Sequence, residues 1–170
     1  MQLDGGAAGA IAVATLYGNS LFDPFGTAGA GQPRGYDQLT PLYAKYRVRS
    51  CKVNVKFLAS STTAAAMAGS AIVGVFATDQ ATAPTSFRDG IECGYCVWDG
   101  MSNDQSAKSD LTLSIDMAKF KGRPVTDDEM AADIAANPAD LCYIHVFIQS
   151  TSSVDLNAIS ALITMDFALS

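Results

Sequence analysis

The chain has 170 residues, of which 49% are hydrophobic and only 16% charged, with a formal net charge of −6. That length suits one domain, residues 1–170, burying about two-thirds of the surface its unfolded chain exposes. The acidic balance argues against a free-standing nucleic-acid binder, whose footprint is strongly basic, and no run of about 18 apolar residues is present to cross a membrane.

Residues 10–17 are short, apolar and β-branched and end at Gly18-Asn19, so they read as a first strand. No basic residue precedes them, which argues against a secretory leader. Residues 19–33 hold Asp23-Pro24, Gly26, Gly29, Gly31 and Pro33, too many breakers for regular structure. Next, Leu39, Leu42, Tyr43 and Tyr46 recur at helical spacing, which predicts a short helix over 36–46 with Asp37 as its cap and Pro41 near its start.

From residue 47 to 58 the period changes to two. Cys51, Val53, Val55 and Phe57 alternate with Lys52, Asn54 and Lys56, the pattern of a strand with one buried and one basic face. Residues 60–69 form a Ser/Thr/Ala loop. Residues 71–77 are almost continuously apolar and predict a strand buried on both sides or packed at an interface. Residues 85–90 suggest one helical turn. Further strands are expected over 94–98, 111–117, 141–149 and 159–169, with a short acidic helix over 126–136 ended by Asn137-Pro138.

At least seven strands with long connections and no Asn-Gly hairpins point to Greek-key crossings. The fold class is therefore all-β, a single two-sheet jelly roll with short helices inserted in its loops. The charge deficit against roughly 25% in soluble domains has two readings. Part of the surface is covered by other protein chains, or the chain is a β monomer with a Ser/Thr/Ala-rich exterior. Charge is also uneven: all 11 Lys/Arg lie between Arg34 and Arg123, and the chain after Arg123 carries only acidic charge.

No residue set assembles into recognisable chemistry. Cys93-x-x-Cys96 and Cys142-x-x-His145 have zinc-ligand residue types, but an offset of three on a strand points two side chains to opposite faces. They read as packing residues. His145, the one histidine, lies mid-strand without a nucleophile motif. Asp127, Asp128, Glu129 and Asp133 match no calcium loop and read as the acidic first turn of a helix. Gly26, Gly29 and Gly31 lack the strand-to-helix context of a phosphate loop. Tyr36, Tyr43 and Tyr46 could stack on bases, although their spacing favours core packing. No enzyme, metal or cofactor is assigned.

The ordered pieces Asn19-Ser20-Leu21-Phe22-Asp23-Pro24, Gln32-Pro33-Arg34-Gly35-Tyr36-Asp37-Gln38-Leu39 and Leu42-Tyr43-Ala44-Lys45-Tyr46-Arg47-Val48, then Cys51-Lys52-Val53, resemble the amino-terminal third of a capsid-protein family. The family is that of small circular single-stranded DNA viruses encoding their own replication initiator. Met117-Ala118-Lys119-Phe120-Lys121-Gly122, Asn137-Pro138-Ala139-Asp140, Cys142-Tyr143-Ile144-His145-Val146 and Ile163-Thr164-Met165-Asp166-Phe167 continue the likeness to the carboxyl end.

The resemblance implies a virion protein whose copies self-assemble into an icosahedral shell around single-stranded DNA, with no membrane partner. Such proteins commonly carry a basic amino-terminal arm, whereas residues 1–18 here have no Lys or Arg. Three explanations stay open: an arm absent from this chain, a member lacking one, or genome contact through the folded domain. In the last case the cations Lys45, Arg47, Arg49, Lys52 and Lys56 are the candidates, against an ordinary solvated strand face. Contacts between copies are expected from residues 22–32 and 78–89. The other reading is a β-sandwich ligand-binding module, such as a carbohydrate-recognition domain, which Trp98 as sole tryptophan does little to support.

Overall fold

The computed structural model describes residues 1–4, 9–26, 31–59, 69–102, 107–151 and 159–169. Its strands are β1 (Gln2–Leu3), β2 (Ile11–Tyr17), β3 (Lys45–Leu58), β4 (Ser70–Thr78), β5 (Cys96–Ser102), β6 (Lys108–Asp116), β7 (Ala131–Asp133), β8 (Tyr143–Ser150) and β9 (Ile159–Leu169). Three short helices, α1 (Tyr36–Leu39), α2 (Phe87–Ile91) and α3 (Met117–Lys121), interrupt them.

All pairings are antiparallel. One sheet has the order β1-β9-β3-β6, with β7 added beside the start of β3, and the other has the order β2-β8-β4-β5. The pairs β4·β5, β3·β6, β2·β8 and β1·β9 are those of one long hairpin, and the contacts β9·β3 and β8·β4 wrap it on itself. That winding is the jelly roll.

The core lies between the sheets. Cys51, Val53, Val55, Phe57, Leu113 and Ile115 meet Leu16, Val73, Val75, Ile144, Val146 and Ile148, all under a tenth exposed. Each such side chain contributes about 1.5–3 kcal/mol by leaving water. The alternating strand at 47–58 and the last strand at 159–169 stand as the residue pattern predicts.

Two expected helices are cut short for a single reason. The predicted helix over 36–46 stops at Leu39, and the predicted acidic helix over 126–136 is a 3-10 turn, Asp128–Met130, followed by β7. Lys45, Tyr46 and Arg47 pair with Asp133, Ala132 and Ala131. A pairing across more than eighty residues overrides two local helical patterns, and Pro41, which lacks an N–H, lets the first helix end early. Asp127 still caps the turn, accepting from the Glu129 N–H.

Other boundaries shift for local reasons. The helical turn expected at 85–90 is α2, opened by a reciprocal capping box between Ser86 and Asp89. β5 runs through Asp99-Gly100 instead of stopping at Trp98, because both residues pair with β4. α3 was not expected. Asp116 accepts from the Lys119 N–H at its start, and Gly122 closes it with φ 65°. Most of the expected loop at 60–69 falls outside the described residues, as do residues 27–30 of the expected contact segment 22–32.

The outer face of the second sheet is also apolar, which explains the unbroken run in β4. Its rows read Thr15–His145–Phe76–Cys96 and Val13–Phe147–Gly74–Trp98 across β2, β8, β4 and β5. Phe147 lies over Gly74, where an added Cβ would overlap its ring. A Gly74→Ala substitution should cost about 1–3 kcal/mol by overpacking, whereas Gly100→Ala, with open space around the new methyl, should change stability by less than about 0.5 kcal/mol. Urea unfolding of the two variants checks the contrast, and equal effects would contradict this packing.

Candidate functional site

The five cations of the basic stripe all belong to β3. In an unbroken strand the odd-numbered Lys45, Arg47 and Arg49 would face away from the even-numbered Lys52 and Lys56. The register against β9 slips between Val48 and Ser50, and this bulge reverses the parity. Tyr46 and Val48 point into the core before it, and Cys51, Val53, Val55 and Phe57 after it. Lys45, Arg49, Lys52 and Lys56 are exposed and Arg47 is half-buried, so all five are kept out of the core.

The same geometry brings carboxylates to the stripe. Arg47 Nη2 lies 3.0 Å from Asp128 Oδ1 and Lys56 Nζ lies 3.7 Å from Asp110 Oδ2. Lys52 stands opposite Asp166 of β9, and Lys45 opposite Asp133 of β7. Beyond the bulge, on the outward rows of β3, β6 and β9, Lys52, Lys56 and Lys108 are matched by Asp110, Asp116 and Asp166, three charges of each sign. Exposed pairs of this kind stabilise by about 0–1 kcal/mol each. The face is polar and charge-balanced, not a basic surface.

The least satisfied surface lies elsewhere. Leu21, Tyr36, Leu39, Tyr43, Tyr46 and Leu169 line an apolar groove of about 350 Å³, with Lys45 and Ile134 at its sides. Tyr46 and Tyr36 form its floor. The Tyr46 hydroxyl donates to the Ala136 carbonyl at 2.9 Å, and the Tyr36 hydroxyl donates to the carbonyl of Ile134. Burial, then the neighbouring Tyr46 and Asp37, pushes the Tyr36 pKa up to about 12. Beside the floor, Leu42 and Tyr43 are 73% and 59% exposed, and Leu39 and Leu169 are also open to solvent. The helical spacing of Leu39, Leu42, Tyr43 and Tyr46 suggested one buried face. With the helix cut short, only Tyr46 is buried, and Pro41 is the residue that signals the break.

A polar cleft of about 510 Å³ lies between the β4–β5 connection and α3. Lys121, its side chain only 4% exposed, donates to Asp140 Oδ1 at 2.6 Å and to the Leu141 carbonyl at 2.8 Å. Arg123 is paired with Glu129 and lies 4.0 Å from Asp140 Oδ2. With Asp79 also in the lining, the cleft's cations are neutralised from within. It ties α3 to the start of β8 instead of presenting a charged site.

The sheet separates Cys51 and Cys142 from the histidine, and Cys96 lies on the histidine's face with Phe76 between them. Cys142 packs in the core with Cys51, and His145 lies on the outer face of β8. Burial pushes the thiol of Cys142 up to about 12 and that of Cys96 to about 11, and raises that of Cys51 further. These thiols stay protonated at neutral pH and are poor ligands or nucleophiles in that form. Among the described residues, no three His, Cys, Asp or Glu side chains gather as a metal site would require.

No family model matches the chain, and no curated protein is similar to it. Three solved structures to which the chain is similar come from viruses. One is from a picornavirus capsid, that of an expanded equine rhinitis A virus particle (10% identity, 99% of this chain and 68% of that chain, TM-score 0.48). The second is from Desmodium yellow mottle tymovirus (8% identity, 97% and 81%, TM-score 0.44) and the third from tobacco necrosis virus (13% identity, 99% and 89%, TM-score 0.44). The assignment of the jelly roll rests on the strand order and not on these likenesses.

Removing one partner of a buried pair strands the other charge. Asp140→Ala should therefore lower stability by about 2–3 kcal/mol, at the low side because Asp140 is one-third exposed. Lys121→Met keeps the stem and removes the charge, and should cost markedly less. Thermal unfolding of both variants decides it, since a costlier Lys121→Met would mean that the ammonium stabilises the fold beyond its pairing with Asp140.

Proposed function

We propose that this chain is a viral coat subunit, a single domain without catalytic activity whose copies assemble into an icosahedral shell enclosing a small single-stranded DNA genome in the virion. The observation that carries the reading is the exposed apolar groove. Leu39, Leu42, Tyr43 and Leu169 leave around it an apolar surface that a monomer has no reason to keep in water. A neighbouring copy covering it would gain roughly 25 cal/mol per Å² of apolar area removed from water. The low charge content of 16% supports the same reading, because charged residues are depleted at the centres of interfaces. The jelly roll hosts many functions. The choice of a DNA-virus coat protein rests on the ordered sequence likeness across the chain.

Genome contact is assigned to the outward side of β3, through Lys45, Arg47, Arg49, Lys52 and Lys56. Opposing carboxylates make this contact weak. If two or three phosphates are neutralised per subunit, the logarithm of affinity should fall with the logarithm of salt with a slope of roughly −1.4 to −2.1. Such a subunit holds DNA through the many copies of a shell and not through tight individual sites.

Sedimentation velocity of the purified chain, with absorbance read at 260 and 280 nm, tests both parts. The wild type should sediment as large uniform particles. Leu42→Asp with Tyr43→Asp should leave folded subunits that no longer assemble. Arg49→Glu with Lys52→Glu should assemble with less nucleic acid inside. A wild type that stays a monomer or small oligomer across salt and pH would sink the coat-protein reading in favour of a binding module. Unchanged nucleic-acid content in the second variant would remove β3 from the genome contact.

A further inference from the structure

The connection from β4 to β5 lies flat on the outer face of the second sheet, and β8 holds it at three successive rungs. His145, Phe147 and Gln149 share that face. Gln149 Oε1 accepts from the Phe87 N–H at 2.8 Å. The Phe87 ring packs on Phe147 at 5.8 Å and edge-on against Trp98 at 5.0 Å. Gly90 sits against Phe76, where a Cβ would come within 3.1 Å of the ring. The remaining rung is His145. Its Nε2 lies 3.4 Å from the Gln80 carbonyl and its Nδ1 lies 2.9 Å from Thr15 Oγ1.

These contacts define the state of the ring. A carbonyl only accepts, so Nε2 carries the hydrogen, and Nδ1 of the neutral ring accepts from the Thr15 hydroxyl. The ring has no exposed surface and packs at 5.1 Å against Phe76. We propose that His145 is a proton-operated latch: the first half of the β4–β5 connection closes over its buried neutral imidazole, and a charge on the ring lifts that segment while the sandwich stays folded.

Among the described residues the surroundings supply no counter-charge. From β2 the ring faces Thr15, with Tyr17 one rung along; from β4 it faces Phe76 and Thr78. On β8 itself the same-face neighbours are Tyr143 and Phe147, and Cys96 of β5 lies beyond Phe76. The connection brings Asp79, Arg88, Asp89, Glu92 and Cys93. The Asp79 carboxylate accepts from the Thr78 and Gln80 side chains, Asp89 from Thr85 and Ser86, and Glu92 from Arg88. Among the described residues no carboxylate is hydrogen-bonded to the ring.

The Nε2–H bond to the Gln80 carbonyl survives protonation and favours the charged ring, but an imidazolium there must turn the Thr15 hydroxyl around and remain without water, and this burial outweighs the bond and holds the pKa of His145 below the ordinary histidine value near 6.5. The neutral ring's contribution is complete above about pH 6.5. It is lost as pH falls from there toward the lowered folded-state pKa, because the opened form binds the proton more readily. The shortest way to hydrate the charge is to lift the exposed segment carrying Gln80, leaving the pairings of β8 with β2 and β4 intact. This inference concerns the subunit alone and does not rest on the assembly proposed above.

The chain has one histidine and one tryptophan, so each event has its own reporter. The experiment follows the His145 ring resonance by NMR, Trp98 fluorescence and backbone hydrogen exchange on the purified chain from pH 7.5 to 5, with exchange corrected for its intrinsic pH dependence. The latch predicts one midpoint, below 6.5, shared by the His145 titration and the Trp98 change. Exchange should rise about tenfold or more in 79–87 and stay flat in β3 and β9. His145→Gln, which keeps a donor and an acceptor without a titrating charge, should abolish the acid response. Differing midpoints in the wild type, an unchanged response in His145→Gln, or exchange rising equally in β3 would each overturn it. The wild-type comparison stands even if the variant does not fold.

Discussion

Everything in this molecule is organised by how β3 is paired. Its 14 residues lie against β9 and β6 along most of their length and against β7 at their start. One extra residue near Arg49 lets the strand keep its core side inward on both sides of the slip. Without that bulge either Tyr46 and Val48 or the whole set from Cys51 to Phe57 would face solvent, since a one-residue slip turns every side chain over. The bulge therefore decides the core, and with it the side on which five cations emerge. The short pairing with β7 then dismantles two local helices and leaves the apolar residues around Pro41 without cover.

Which parts of this were legible in the sequence follows from the range of the forces involved. Alternation fixes the face of a strand locally, so Cys51, Val53, Val55 and Phe57 could be read as core and Lys52 and Lys56 as surface. The unbroken apolar run of β4 announced burial on both sides or packing at an interface, and the structure supplies the second cover in the β4–β5 connection. The helix at 36–46 and the acidic helix at 126–136 were misread because each pattern is locally sound. What defeats them is the pairing of Lys45, Tyr46 and Arg47 with residues 131–133, which no short window contains. The bulge was equally hidden, although the parity change between Arg49 and Lys52 left a trace of it. For the same reason the stripe looked more basic in the sequence than it is, because Asp110, Asp128 and Asp166 arrive from three distant segments.

The surfaces divide the work among themselves. The outward side of the β3 sheet is charge-balanced and suits a weak, salt-sensitive contact repeated over many copies. The groove beside Tyr36 and Tyr46 is apolar and suits a contact between subunits. The outer side of the second sheet is closed by the protein's own β4–β5 connection, held by Gln149, Phe147 and the buried His145. These roles are chemically distinct, and only Lys45 belongs to two of the surfaces, as a β3 cation and as a side of the groove.

The central claim is that the groove is covered by another copy of the chain, and electron cryomicroscopy of the purified, nuclease-treated protein tests it most directly. The account predicts closed spherical shells in which a neighbouring subunit packs over Leu39, Leu42, Tyr43 and Leu169. Shells in which that groove faces solvent would contradict the proposed contact, and fields of discrete small particles would contradict the coat-protein reading itself.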